Sequence, residues 1–537
     1  MKNYKNISKV FLLLSIFSLA SCEENLDVEN ANKPQADTFY ITASDFTVGL
    51  NGCYSTLRAP IAFEWMLTET RSDNTYLNNY GTTNPQNLQI ISNDVFEAPT
   101  FDFFIQQYWA TTYTSIRSIN GLATALNTVY NPTTGTIDYV TPTTPLQIID
   151  AVRKNTSGQA SFLRAYHYFN LVRTYGGVFL IDKVVTPDEA LLIPRSSTAD
   201  IYKFIIADLQ NAVANCSTVR GNDVSTTALP LKGTATKWAA EALLAKVYLT
   251  LGRKADALPL LNDVIASSGH SLITAGTTPY SDVFSASNEL NSEIMFAIRF
   301  KSGGLGYGSS LSNLFSSTTS QGISGLIFPN GTRGGYNNPT PELYSSYASN
   351  DKRRDFNIKT KIVTPVTATS ANNQLFWSGK HNIAVSIQND SELDWPVLRY
   401  SDVLLMYCEA IGTPTTLSLS YLNQVRSRAG LTTAISPAAG AAYELAVANE
   451  RRWEFAMENQ RWFDLLRFST TLPSVNAKTV MKNHFTTMAV YYSQFDTPYT
   501  IPQLQAKVDS PKFDLSPIPN LEIVTNTKTP ITQNPGY

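Results

Sequence analysis

Apolar residues recur at spacings of three and four along most of the chain, the pattern of helices with one buried face. The longest run covers 101–130, where Trp109, Tyr113, Ile116, Ile119 and Leu122 share a face. The same spacing predicts helices over 43–57, 159–175, 200–215, 234–251, 254–267, 401–410, 417–429 and 441–468. Gly176-Gly177 suit a helix C-terminus after Tyr175. Few segments alternate as strands do, so the fold class is expected to be mainly α. Three stretches, 58–97, 131–146 and 270–395, lack sustained periodicity and are rich in Gly, Asn, Ser, Thr, Pro and aromatic residues. Long stretches of this kind tend to be functional loops.

The helices predict paired hairpins. Leu244-Ala245-x-x-Tyr248 followed by Ala257 and Leu261 resembles the tetratricopeptide pattern, although Glu241 stands at the consensus Trp position. In that pattern small residues sit where paired helices cross and large ones fill the gaps. Ala165, Tyr168 and Leu171 repeat the spacing of Ala245, Tyr248 and Leu251, 80 residues earlier. That separation implies divergent repeats interrupted by insertions, not a regular array of about 34 residues.

Residues 1–21 read as a secretion signal, with Lys2, Lys5 and Lys9 ahead of a mostly apolar run over 10–20. That run is too short for a bilayer, which takes about 20 residues. Leu19-Ala20-Ser21-Cys22 resembles a bacterial lipobox, making Cys22 the lipidated start of the mature chain. A polar tether over 22–36 follows, and its Glu23-Glu24 resembles the signal that sends Bacteroidota-type lipoproteins to the outer leaflet. No second apolar run of about 18 residues occurs, so the expected anchor is lipid.

Composition narrows the partners. The 537 residues are 43% hydrophobic and 16% charged, as in globular proteins. Net charge is −2, or −5 once the three lysines of the signal are lost, which argues against nucleic acid as a partner. Cys53, Cys216 and Cys408 are widely spaced with no CxxC, so neither a disulfide framework nor a zinc site is indicated. Cys53 and Cys408 lie among apolar neighbours and are expected in the core.

Signatures of catalysis are absent: there is no His-Glu-x-x-His, Gly-x-Ser-x-Gly or Gly-x-x-x-x-Gly-Lys-Ser/Thr. Gly303-Gly304-Leu305-Gly306-Tyr307-Gly308 lacks dinucleotide-binding spacing and reads as a mobile loop. His167, His270, His381 and His484 are not paired at metal-ligand spacing, and His167 is expected to pack inside an aromatic helix. No catalytic residue, metal or cofactor is expected. A glycosidase needs only two acids that meet in space, roughly 5 to 10 Å apart, so that class stays open without support.

The polar and aromatic content suits sugars, which present apolar C–H faces and many hydroxyls. Arg71, Asp73, Asn74 and Tyr76 supply hydrogen-bonding groups in one stretch, and Tyr307, Phe328, Tyr336 and Trp377 supply candidate platforms in the long insertion.

Ordered blocks then identify a family. Asp37-Thr38-Phe39-Tyr40 and Leu50-Asn51-Gly52-Cys53-Tyr54, the run from Ala160 to Val178, and Arg399-Tyr400-Ser401-Asp402 resemble the SusD/RagB family. So do Arg426-Ser427-Arg428-Ala429-Gly430, Glu450-Arg451-Arg452-Trp453-Glu454 with Arg461-Trp462-Phe463-Asp464, and the terminal Asn534-Pro535-Gly536-Tyr537. The resemblance runs over essentially the whole mature chain. It implies one SusD-like domain over 37–537, with an N-terminal part (37–220), tetratricopeptide-like helices (221–269) and a C-terminal part (270–537). It further implies a non-catalytic lipoprotein on the outer membrane, facing the exterior, that captures oligosaccharide for a SusC-like TonB-dependent transporter. In the RagB branch the cargo is peptide. The blocks themselves read as scaffold: Arg399, Asp402, Glu450, Arg451, Arg452, Glu454 and Asp464 are expected to form buried ion pairs between helices.

Overall fold

Thr42 opens the first helix by a reciprocal cap, its side chain accepting from the Asp45 amide while the Asp45 carboxylate accepts from the Thr42 N–H at 2.6 Å. Asp102, Ser197, Thr236 and Thr415 cap later helices in the same way, through side-chain oxygens that accept from first-turn amides. The computed structural model describes residues 39–77, 85–142, 146–220, 233–316, 334–362, 374–495 and 497–537. Thr42–Tyr537 make one compact unit; of the other, Met1–Ile41, only 39–41 are described.

The principal helices are α1 (Ala43–Thr56), α2 (Arg58–Leu67), α3 (Phe103–Ala125), α4 (Asp150–Tyr175), α5 (Thr198–Asn215), α6 (Lys237–Thr250), α7 (Lys254–Ser267), α8 (Tyr400–Ile411), α9 (Thr416–Arg428), α10 (Ala441–Glu454) and α11 (Arg461–Thr471). Consecutive helices pair as hairpins, α4 with α5, α6 with α7 and α8 with α9, and α7 packs on α8 to join two hairpins. Arg164 ties α4 to α5 through both oxygens of Asp208, at 2.9 and 2.8 Å. The mainly α, hairpin-based architecture is thus what the periodicity predicts.

Three departures stand out. The run over 101–130 ends at Ala125, because Asn127 takes a positive φ of 53° and the chain turns into a hairpin of β2 (Thr128–Asn131) and β3 (Thr136–Tyr139). The stretch 58–97 is not loop throughout, since it holds α2 and a helix at Pro85–Asp94. The other strands are short and pair two by two: β1 (Thr75–Tyr76) with β5 (Asn338–Pro339), β4 (Ile294–Ile298) with β8 (Trp395–Arg399), and β6 (Ile358–Ile362) with β7 (Gln374–Ser378).

The third departure is the run over 441–468, which breaks into α10 and α11. Met457 and Asn459 between them take positive φ values of 66° and 59°. The break exposes backbone groups to buried polar partners: Lys380 donates to Ala456 O at 2.8 Å, and the Asn459 amide donates to Glu69 at 3.0 Å.

Around that break lies an apolar core crossed by charge. Leu404, Leu405, Leu422, Val425, Tyr443, Val447 and Phe468 pack together from α8 to α11. Within a few residues, Arg399 meets Glu293 at 2.7 Å, Glu454 at 2.9 Å and Glu458 at 2.8 Å. Arg353 meets Glu450 at 2.6 Å and Glu454 at 3.1 Å, and Arg428 bonds Glu293 and Glu454. On α11, Asp464 accepts from Arg451 at 2.9 Å and Arg467 at 2.8 Å, while Asp402 takes Arg451 and Lys246. All seven charges expected to pair do so, although at Glu450 burial outweighs Arg353 and Arg426 and raises the carboxyl pKa. Cys53, Cys216 and Cys408 are free and buried, and His167 is buried too, its imidazole held neutral with a pKa drawn down by burial to about 3.

Candidate functional site

The polar stretch from Glu69 to Tyr76 folds inward. Its start is a short 3-10 turn at the end of α2, and all eight of its residues are buried. Asp73 accepts from Arg461 at 2.8 Å and meets Arg452 at 3.0 Å. Burial opposes ionisation of Asp73, yet the Arg452 and Arg461 guanidinium groups outweigh it and hold the carboxyl well below the usual carboxylate range. Asn74 accepts from Arg452 Nε at 3.0 Å, and Arg71 donates to Phe513 O at 2.8 Å with its guanidinium over the Phe96 and Trp462 rings. Tyr76 pairs with Asn338 in the β1–β5 ladder and packs edge-on against Tyr491. The expected set of Arg71, Asp73, Asn74 and Tyr76 is therefore corrected to a buried strut, since no side chain of it reaches solvent.

Two platforms are also internal. Tyr336 stacks on Trp65 at 6.0 Å and donates to Gln86 at 2.9 Å, and Trp377 is a buried residue of β7. Phe328 and Cys22 lie outside the described residues. Of the described candidates, Tyr307 alone presents its ring to solvent, at 49% exposure.

Tyr307 is carried on a turn that backbone bonds define. Asp390 accepts from the amides of Gly303 at 2.7 Å and Gly304 at 2.9 Å, where φ values of 112° and 71° suit glycine. Lys301 N donates to Tyr307 O at 2.9 Å and closes the turn. Gly308 passes so near the backbone of Asp390 that a Cβ there would fall 2.3 Å from Asp390 Cα. The run expected to be a mobile loop is thus fastened at both of its ends.

Across from the turn, the Arg58 guanidinium lies 4.7 Å from the centroid of the Tyr307 ring, a cation–π arrangement. Arg58 opens α2 and donates to Arg299 O at 3.4 Å and to Ser55 Oγ. Partial burial draws its pKa somewhat below the ordinary guanidinium value, with Tyr307 opposing, and it stays a cation. The cleft between them has a volume of about 480 Å³. Its lining includes Ser55, Arg58, Phe300, Tyr307, Ser309 and Asn389, which is hydroxyl, amide, guanidinium and ring, with no carboxylate among the described residues.

Farther along α2, Phe63 follows Ala59 by one helical turn and so continues the same face. Its ring meets Phe103 at 6.2 Å, and Phe103 and nearby Phe101 are 48% and 74% exposed. A second cleft, of about 360 Å³ beside α1 and α4, is lined by amides, hydroxyls and aliphatic groups without a ring. A polar void of about 40 Å³ between Glu64, Arg173, Lys246 and Arg467 has room for water only.

Arg58, Asn389, Phe63, Phe101 and Phe103 escaped the sequence reading. Phe103 gave a signal, since it falls off the face shared by Trp109 and Ile116; Arg58, ahead of Pro60, looks like any helix start. Among the described residues no group of His, Cys, Asp and Glu is gathered so as to hold a metal ion. Nor is any described helix long and apolar enough to cross a membrane.

Comparison with known proteins agrees along the chain. Residues 360–537 match the model of the SusD family, and residues 24–249 match one described as starch-binding associating with outer membrane. Tyr307 lies between the two matched ranges. A SusD-like protein of Bacteroides ovatus is 25% identical over 487 residues, 80% of this chain and 81% of its own. Surface glycan-binding protein A from Bacteroides fluxus superposes with a TM-score of 0.70 at 20% identity, covering 93% of this chain and all of the other. The Bacteroides thetaiotaomicron protein of that name, in complex with laminarihexaose, gives 0.67 at 20% identity over 92% of this chain and 99% of its own. With hairpins, buried ion pairs and both family models in agreement, the chain belongs to the SusD/RagB family.

Proposed function

We propose that this protein is a cell-surface glycan-binding lipoprotein that captures oligosaccharide without cleaving it and passes it to a SusC-like TonB-dependent transporter in the outer membrane. Cys22 carries the lipid and the bound sugar faces the exterior. The observation that carries the reading is the half-exposed Tyr307 ring held beside Arg58 at the mouth of a cleft of ligand size. A sugar's C–H face stacks on the ring, while Ser309, Asn389 and Arg58 meet its hydroxyls. Holding is the chemistry such a lining supplies. The relatives named for glycan binding, and the outer-membrane description of one family model, point the same way. A site this open leaves many hydroxyls solvated, which sets affinity on the order of 10 µM to 1 mM.

The test is a glycan array with the chain from Glu23 onward, then calorimetry on each hit with the native protein and Tyr307→Ala. Saturable binding without release of reducing ends, weakened by the substitution, supports capture at this cleft. Turnover of a bound glycan would make the protein an enzyme and overturn the reading. Binding of peptides and of no glycan would replace the cargo.

A further inference from the structure

We infer that the cleft selects glycans bearing an anionic group, a uronate carboxylate or a sulfate ester, which Arg58 grips while Tyr307 stacks on the sugar ring. This rests on the glycan-binding reading and adds the class of sugar. Arg58 is the one charged side chain among the described residues lining the cleft. A guanidinium has five N–H donors, and Arg58 gives its own to two neutral oxygens, Arg299 O and Ser55 Oγ. Arg71, Arg153 and Arg195 donate to backbone carbonyls, whereas the buried Arg164, Arg353, Arg399 and Arg451 face carboxylates. Arg58 has no such partner among the described residues.

Four carboxylates in the segments around the cleft, Glu289, Asp390, Glu392 and Asp394, have partners of their own. Asp390 holds the amides of Gly303 and Gly304, Glu392 takes Ser302 at 3.0 Å and Lys301 at 3.5 Å, and Glu289 and Asp394 both face Arg299 at 2.5 Å. A half-buried cation facing a recess is poorly served by hydroxyls alone, because charge taken from water needs opposite charge in return. A carboxylate or sulfate presents two oxygens at the spacing a guanidinium fork accepts, and charge-assisted bonds of that kind are about twice as strong as neutral ones.

The experiment sets neutral oligosaccharides beside uronate-bearing and sulfate-bearing ones of similar length on one array, with calorimetry at low and high NaCl. The native chain from Glu23 is compared with Arg58→Gln and Arg58→Lys, each first shown to melt as the native protein does. The expected result is binding of an anionic glycan about 10-fold or more tighter than of its neutral counterpart, a preference that shrinks with salt and is lost in Arg58→Gln. Arg58→Lys should keep part of it. Whether the uronate or the sulfate arm shows the preference identifies the group. Equal binding of neutral and anionic partners, unchanged in Arg58→Gln, overturns the inference and leaves glycan capture standing. Failure of every glycan overturns both.

Discussion

Arg461 donates two hydrogen bonds to Asp73, 2.8 Å from Nε to Oδ1 and 2.9 Å from Nη2 to Oδ2, across 388 positions of sequence. With Arg452 on the same carboxylate, this pins the end of α2 to the break before α11. Asp73→Ala leaves two buried cations short of their partner and is expected to destabilise the fold by about 3–5 kcal/mol, read by urea denaturation. Glycan affinity of the molecules that remain folded should be unchanged. Lost affinity at native stability would return Asp73 to the binding surface.

Glu454 receives Arg353, Arg399 and Arg428 at once. Burial alone would keep it protonated, but the three arginines outweigh burial and hold its pKa well below the usual range. Glu454→Gln should cost several kcal/mol, whereas Glu392→Gln, which touches an exposed pair, should stay within about 1 kcal/mol. Parallel denaturation curves decide it: equal midpoints for the two variants would mean that the buried network contributes little.

Stability should also depend on pH with a defined sign. Burial pushes Asp94, Glu64 and Glu69 up to about 7 each. Unfolded carboxyls titrate near about 4, so between roughly pH 4 and 7 the folded chain binds more protons, and stability falls as pH rises through that window. Asp73, Asp402 and Glu454 have depressed values, so what they contribute is present above the unfolded value and is lost as pH falls below it. Denaturation midpoints should therefore be higher at pH 5 than at pH 8. Asp94→Asn keeps an acceptor for the Tyr492 hydroxyl and should flatten the fall by a few kcal/mol at most. A slope unaltered by that variant would assign the dependence to other groups.

The thiols offer a probe of integrity. Burial pushes Cys53 and Cys408 up to about 12 and raises Cys216 as well. In the chain from Glu23 a thiol reagent at pH 8 should modify none of the three while the protein is native and all three in denaturant. Rapid labelling of any one in native protein would show an opening near it.

Helices and their charged partners were legible because both follow from short-range pattern: a face repeats every three or four residues, and a charge on an otherwise apolar helix has to be neutralised. The break between α10 and α11 was not, since there Ala456 O meets Lys380, Met457 O meets His381 and the Asn459 amide meets Glu69, residues far away in the chain. The same distance misled over Glu69 to Tyr76. A run of polar residues looks like a surface loop until Arg452 and Arg461 come to cover it. Tyr307 is singled out together with Phe328, Tyr336 and Trp377 as an aromatic of the long insertion, and which of those rings stays outside depends on neighbours such as Trp65 that the sequence does not place. Arg58 acquires meaning only when the 300–311 segment folds against α2.

The turn bearing Tyr307 owes its course to Asp390, to the Lys301 backbone and to the close passage of Gly308, and none of these involves the phenol ring. Replacement at position 307 is therefore expected to alter the ring presented to solvent and to leave the turn intact. Asp73 has no such freedom, being answerable to two arginines at once. Single exchanges on the rim can thus alter the surface at almost no penalty in foldedness, whereas an exchange at Asp73 reaches the whole interior.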